Sequence, residues 1–201
     1  MSVKGYTVTR ACSVCGLHDA IWKETPKLYI DCFPWDVNGY QPDTFVQVVK
    51  TKYGLVLRFE TDEHPIRARY HKTNSDVYCD SCMEFFFRPH LEKSYMNLEF
   101  NAFGTVYVGI CGEAVNVDVT ELKTITEIDE KGWRLMFSLP FSFVRRFFAD
   151  IEFPWKANFY KCGDETLHPH FGCWNPVVAE EPNFHLPEFF GTLLCKEEVK
   201  N

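Results

Sequence analysis

Apolar and polar residues alternate along most of this chain in short runs that end at Gly, Pro, Asn and Asp clusters. "TFVQVVK" (44–50) and "GLVLRFE" (54–60) are the clearest runs, joined at Lys52-Tyr53-Gly54 as the two arms of a hairpin. The pattern continues through "PIRARY" (65–70), "DSCMEFFF" (80–87), "MNLEFNA" (96–102), "TVYVGI" (105–110) and "AVNVDV" (114–119). "KTITEI" (123–128), "WRLMFSL" (133–139) and "KANFYK" (156–161) complete about ten strands. Strands at this spacing predict an all-β fold, an antiparallel β-sandwich or jelly roll, and not a parallel α/β sheet. Helical spacing is confined to two pieces. "LPFSFVRRFFA" (139–149) has a proline at its start, Phe141, Val144 and Phe148 on one face, and Arg145 and Arg146 outward; "DAIWKE" (19–24) is shorter. With no repeat, linker or low-complexity stretch, residues 1–201 are expected to form one domain.

Alternation also sorts the strands into faces. In "DSCMEFFF", Asp80, Cys82, Glu84 and Phe86 point one way, and Met83, Phe85 and Phe87 the other. In "MNLEFNA", Asn97, Glu99 and Asn101 oppose Met96, Leu98 and Phe100. If these two strands pair, Met83, Phe85, Leu98 and Phe100 line the core, and Asp80, Glu84, Asn97, Glu99 and Asn101 form one polar patch. Such a patch is the solvated outer face of a sandwich sheet, a surface for recognising hydroxyl groups, or an oxygen-rich site for a hard cation such as Ca2+.

Composition narrows the function. The net charge of -7 leaves no basic stripe for a nucleic acid or an anionic membrane surface. No run is long enough to be a signal peptide or to span a bilayer, so the chain as written is expected in the cytoplasm, or outside the cell only if a leader was removed. Aromatic residues make up 16% of it, with 19 phenylalanines, which predicts a ring-rich core. Its 9 cysteines are expected to be free thiols in a reducing compartment. Cys12 and Cys15, and Cys79 and Cys82, have zinc-knuckle spacing; Gly16 allows the tight turn a knuckle needs at the first pair, whereas the second enters a strand, where residues three apart face opposite ways. Cys162 and Cys173 flank a loop and are candidates for a bridge under oxidation.

Five blocks carry a resemblance. "DSCMEFFFRP", "YMNLEFNAFG", "ANFYKCGD", "PHFGCW" and "FHLPEFFGTL", in this order, resemble the signature blocks of the family 9 carbohydrate-binding modules, in their single-domain "family 9-like" branch. The segment "PWDVNGYQPDTFVQVVKTKYGLVLRFETDE" fits as well, and the blocks reach from about residue 20 to 195. The resemblance implies an antiparallel β-sandwich related to the cytochrome domains of cellobiose-dehydrogenase type, and noncatalytic binding of a glucan, xylan or reducing-end sugar. In that family two tryptophan rings clamp the sugar, polar side chains hold its hydroxyls, and structural calcium ions lie elsewhere.

The richest stretch for such a site is "NFYKCGDETLHPHFGCW" (158–174). A sugar needs flat apolar rings for its C–H faces and planar polar groups for its hydroxyls. Trp174 is the leading platform, with Tyr78 or Trp35 as the second ring; Trp22 and Trp133 are assigned to the core. Asn158, Lys161, Glu84 and Arg69 are the expected hydroxyl partners. His168 and His170, with Asp164 and His185, form either a transition-metal set or backbone-bonded histidines of an ordered loop. A haem role is weak, because Met83, Met96 and Met136 fall in strands. The rival functions are a glycoside hydrolase using Glu84 and Glu99, and a structural domain without a glycan ligand.

Overall fold

The computed structural model describes residues 3–36, 38–90 and 92–195. In chain order its strands are β1 (Gly5–Thr7), β2 (Thr9–Arg10), β3 (Leu28–Tyr29), β4 (Thr44–Lys50), β5 (Gly54–Thr61), β6 (Cys82–Arg88) and β7 (Met96–Asn101). They continue with β8 (Val106–Ile110), β9 (Glu113–Ala114), β10 (Ile125–Asp129), β11 (Gly132–Pro140), β12 (Trp155–Cys162), β13 (Phe171–Cys173) and β14 (Gly191–Leu194). The helices are α1 (Ile21–Glu24) and α2 (Phe141–Val144). The front sheet runs β1-β14-β12-β6-β7-β8-β9 with β13 beside β12; the back sheet runs β10-β11-β5-β4-β2 with β3 beside β4. Only β1–β14 and β2–β4 are parallel; the other paired strands are antiparallel. The β-sandwich expected from the alternation is the fold.

The main core lies between the sheets. Met83, Phe85 and Phe87 of β6, Leu98 and Phe100 of β7, and Phe159 of β12 meet Val46, Val48, Leu57, Phe59, Leu135 and Phe137 of the back sheet. Rings interleave across the gap, with Phe100 stacked on Phe137 at 4.4 Å and Phe85 on Phe159 at 5.0 Å. Trp133 and Trp22 are buried, as expected. In α2 the fully buried side chains are Phe143 and Val144, while Phe141 is only half-buried.

Two expected strands do not form as such. Residues 65–70 form no strand, because side chains take the groups a ladder would use. Asp80 Oδ2 accepts from the Arg69 and Tyr70 amides (2.8 and 3.0 Å), and Ser81 Oγ accepts from the Arg67 amide (2.9 Å). Of 114–119 only Ala114 belongs to a strand. There the Asn74 side chain inserts beside β8, donating to Val115 O and accepting from Val108 N, both at 2.9 Å.

Candidate functional site

The outer face of the front sheet carries Cys82, Glu84 and Phe86 on β6, Asn97, Glu99 and Asn101 on β7, and Asn158, Tyr160 and Cys162 on β12. The registers match the alternation: Glu84 stands opposite Glu99, and Cys82 opposite Cys162. This face is not solvated. The turn at Val77–Cys79 and the segment from Asn175 to Phe190 lie over it, and Trp35, Val77, Tyr95, Val177, Phe184 and Phe190 pack with Phe86 and Tyr160 into a second apolar cluster. Phe184 stacks on Tyr160 at 4.0 Å.

The cover leaves one opening beside it, a cleft of about 390 Å3, within the range of about 300–1,000 Å3 usual for small-molecule sites. Glu84, Glu99 and Cys162 form its floor. Tyr78, on the Val77–Cys79 turn, is 40% exposed at its mouth. Asp76, Asp164, Tyr107, Phe171, Phe184 and His185 complete the walls. The charged groups of this lining are carboxylates, with neither lysine nor arginine among them.

The floor carboxyls are held away from charge. Burial, reinforced by Glu99, pushes Glu84 well above the ordinary carboxylate range. Burial also raises Glu99 to about 7, against the hydrogen bond that Asn97 Nδ2 donates to its Oε1 at 2.9 Å. Partial desolvation lifts Asp164 to about 6. The Cys162 thiol, itself raised by burial, donates to Glu84 Oε1 at 2.9 Å. Glu84 Oε2 is buried with no hydrogen-bond partner among the described residues. Buried polar atoms are nearly always paired, so this one is available to a partner from outside the chain.

The sequence model of carbohydrate-binding family 9 matches residues 20–195. The chain belongs to carbohydrate-binding family 9. Membership carries the noncatalytic carbohydrate binding expected from the sequence. Among solved structures, a candidate carbohydrate-binding protein from Bacteroides uniformis is 26% identical; it aligns over 97% of this chain and 100% of its own, with a TM-score of 0.82. A family 9 module from Caldicellulosiruptor kristjanssonii in complex with glucose is 13% identical, covers 98% of each chain and has a TM-score of 0.73. Its complex with cellotriose, also 13% identical, covers 98% of this chain and 96% of that one, with a TM-score of 0.72. No curated protein sequence matches the chain.

Within this family 9 chain, the structure brings only Tyr78 and Glu84 of the expected ligand residues to the cleft. Trp174 is 4% exposed and lies in the inter-sheet core, edge-on to Phe159 at 5.7 Å. It follows β13, and the alternation that turns Cys173 outward turns Trp174 inward. Its ring fills the space above Gly191, where an added Cβ would come within 2.4 Å of it. Trp35 is buried in the cover, where its indole N–H donates to Ala179 O at 2.9 Å. Asn158 is a buried clip: its Oδ1 accepts from Asn175 N (2.8 Å) and its Nδ2 donates to Asn175 O (2.9 Å).

Lys161 faces the core side of β12. Its ammonium contacts Glu63 Oε2 at 2.8 Å and donates to His170 Nε2 at 2.9 Å. Arg69 is exposed on the irregular 65–70 segment, which its backbone amide ties to Asp80. Asp80 and Asn101, assigned to the polar patch, bond each other at 2.9 Å as anchors of that segment.

The expected metal sets are not assembled. His170 is buried on Lys161, His168 packs on Tyr40 at 5.0 Å, and His185 bonds the Tyr95 hydroxyl at 2.9 Å. Cys162 and Cys173 each have another cysteine for a strand partner, Cys82 and Cys32. Among the described residues the one convergent group of three or more His, Cys, Asp or Glu is Cys82, Glu84 and Cys162. Two sulfurs and a carboxylate do not fit calcium, which takes about 6–8 oxygens.

The residues that sequence reasoning missed as ligands are Asp76, Tyr107, Phe171 and Phe184. Asp76 and Phe184 come from separate loops, Tyr107 from β8 and Phe171 from β13, and no local pattern links them. Glu99 was legible as the strand partner of Glu84.

Proposed function

We propose that the cleft over β6, β7 and β12 binds the end of a glucan or xylan oligosaccharide, with Tyr78 as the exposed ring and Glu84, Glu99 and Asp164 as hydroxyl partners. The unpartnered Oε2 of Glu84, in the same cleft as that ring, carries the reading. A sugar hydroxyl both donates and accepts, so it pairs with a carboxyl in either protonation state. Floor acids held above their ordinary range suit a neutral ligand of this kind. A cleft closed below by a sheet suits a sugar end better than a chain lying across it, and the glucose and cellotriose complexes of the related module support a glucan.

Hydrolysis fits less well. It needs two carboxyls flanking the scissile bond, whereas Glu84 and Glu99 are opposite neighbours on one sheet face, on the same side of any ligand.

Calorimetric titration of glucose, cellotriose and xylotriose into wild type, Tyr78→Ala and Glu84→Gln tests the proposal. Losing a stacked ring or a buried hydrogen bond costs about 1–3 kcal/mol, so each variant is expected to bind about 5–150-fold more weakly. Unchanged affinity in both variants rejects the site.

A further inference from the structure

Beside Glu84 at the cleft floor stand two thiols, Cys82 and Cys162, whose chemistry carbohydrate binding does not use. Cys82 and Cys162 are direct partners across β6 and β12, and Glu84 lies two residues beyond Cys82 on the same face. The three side chains are 0%, 1% and 2% exposed, respectively, for Cys82, Cys162 and Glu84. One ligand atom from each lies within 4.8 Å of the other two, and Cys162 Sγ is 2.9 Å from Glu84 Oε1. Tetrahedral bonds of about 2.3 Å to sulfur place two ligand sulfurs about 3.8 Å apart, so side-chain adjustments of about 1 Å close the set on one ion.

We propose that Cys82, Cys162 and Glu84 form a binding site for a thiophilic divalent cation of the zinc class, with its fourth coordination position open to the cleft.

Four observations support the assignment. The ligands sit on the paired central strands β6 and β12, so the backbone fixes their spacing. Glu84 keeps an unpartnered carboxylate oxygen at the site, 2% exposed and lining the cleft. Cys162 and Glu84 both line that cleft, which gives an ion its access route, while Cys82 lies behind them. The donor set of two thiolates and one carboxylate selects soft or borderline ions such as Zn2+, Co2+ and Cd2+ over Ca2+ and Mg2+. On binding, the two thiol protons and the Glu84 carboxyl proton leave to solvent, and the metal is bonded by two thiolates and a carboxylate; no electron is transferred. Spacing rules could not find this site, because Cys82 and Cys162 are brought together only by the pairing of strands distant in sequence.

The inference does not rest on the sugar reading, and its test separates the two. The full chain, reduced with a phosphine and stripped with a chelator, is titrated with Co2+ and then Zn2+ and followed by thiolate-to-cobalt charge-transfer absorption. The expected result is one saturable equivalent of Co2+, displaced by Zn2+. Affinity is expected to fall at least about tenfold in Cys82→Ser, Cys162→Ser and Glu84→Gln, and to persist in Cys12→Ser/Cys15→Ser and in Tyr78→Ala, whose loss concerns sugar alone. X-ray absorption of the zinc-loaded wild type, which needs no variant to fold, is expected to count two sulfur ligands. Absence of charge transfer at saturating Co2+, a signal unchanged in both Cys82→Ser and Cys162→Ser, or a zinc shell without sulfur overturns the site.

Discussion

Replacing Lys161 by methionine separates a ligand-binding lysine from a structural one. Its ammonium is fully buried and contacts Glu63 Oε2 at 2.8 Å. The Trp133 indole donates to the same oxygen at 2.8 Å, and Ser81 Oγ donates to Oε1 at 2.8 Å. Burial is the largest single influence and would push the Glu63 carboxyl up, but the Lys161 charge, His170 and the hydrogen bonds from Lys161 and Trp133 together outweigh it and hold Glu63 below the ordinary carboxylate range. Methionine keeps the length of the stem and removes the charge, leaving Glu63 buried without its counter-ion. Breaking one side of a buried pair costs about 3–5 kcal/mol, or about 6–20 °C in Tm for a chain of this size. Lys161→Met/Glu63→Gln should recover much of that loss, because no bare charge remains.

The pH dependence has a definite sign. In wild type the depressed Glu63 carboxyl adds stability above its unfolded value of about 4.5, stability that is lost as pH falls through the folded value. In Lys161→Met burial dominates and the carboxyl moves up, so its contribution is lost as pH rises. The gap between the two proteins therefore widens from pH 4 to pH 8. Urea unfolding followed by tryptophan fluorescence at several pH values measures it. The reasoning is refuted if Lys161→Met stays within about 1 kcal/mol of wild type at pH 8 while its affinity for sugar collapses.

Further outcomes follow from the same contacts. Trp174→Ala should cost about 3–5 kcal/mol in urea unfolding while the folded fraction keeps its sugar affinity, since the ring is core and not platform. Gly191→Ala should cost about 1–3 kcal/mol, because its Cβ would meet the Trp174 ring. Burial, then the Lys161 charge, pushes His170 down to about 4. Its contribution is therefore full above about 6.5 and lost as pH falls towards 4; that loss, about 3 kcal/mol, should be absent in His170→Gln unfolding curves. Cellotriose incubated with the protein should release no new reducing ends by chromatography.

Local alternation carried the fold because each strand of the sandwich has one dry face between the sheets. It puts Met83, Phe85, Leu98 and Phe100 inward and Glu84 and Glu99 on one face of neighbouring strands, as the structure has them. It failed where side chains took over backbone partners, as Asp80 does for residues 65–70 and Asn74 does beside β8. The site was half legible for a related reason. Alternation states which face a residue is on, but not what covers that face. The outer face of the front sheet reads as solvated, yet the segment from Asn175 to Phe190 folds over it, and its shape depends on contacts between distant residues such as Tyr160 and Phe184. Trp174 was misplaced because one residue of register after β13 decides between cover and core. Lys161 was misplaced because a lysine in a strand reads as exposed until its partner, nearly a hundred residues away, is known.

The most direct test of the central claim is a crystal structure of the protein soaked with cellotriose. The account predicts a terminal glucose in the cleft, its ring against Tyr78 and a hydroxyl within hydrogen-bond distance of Glu84 Oε2. A sugar bound anywhere else on the protein, with the cleft over β6 and β12 left empty, contradicts it.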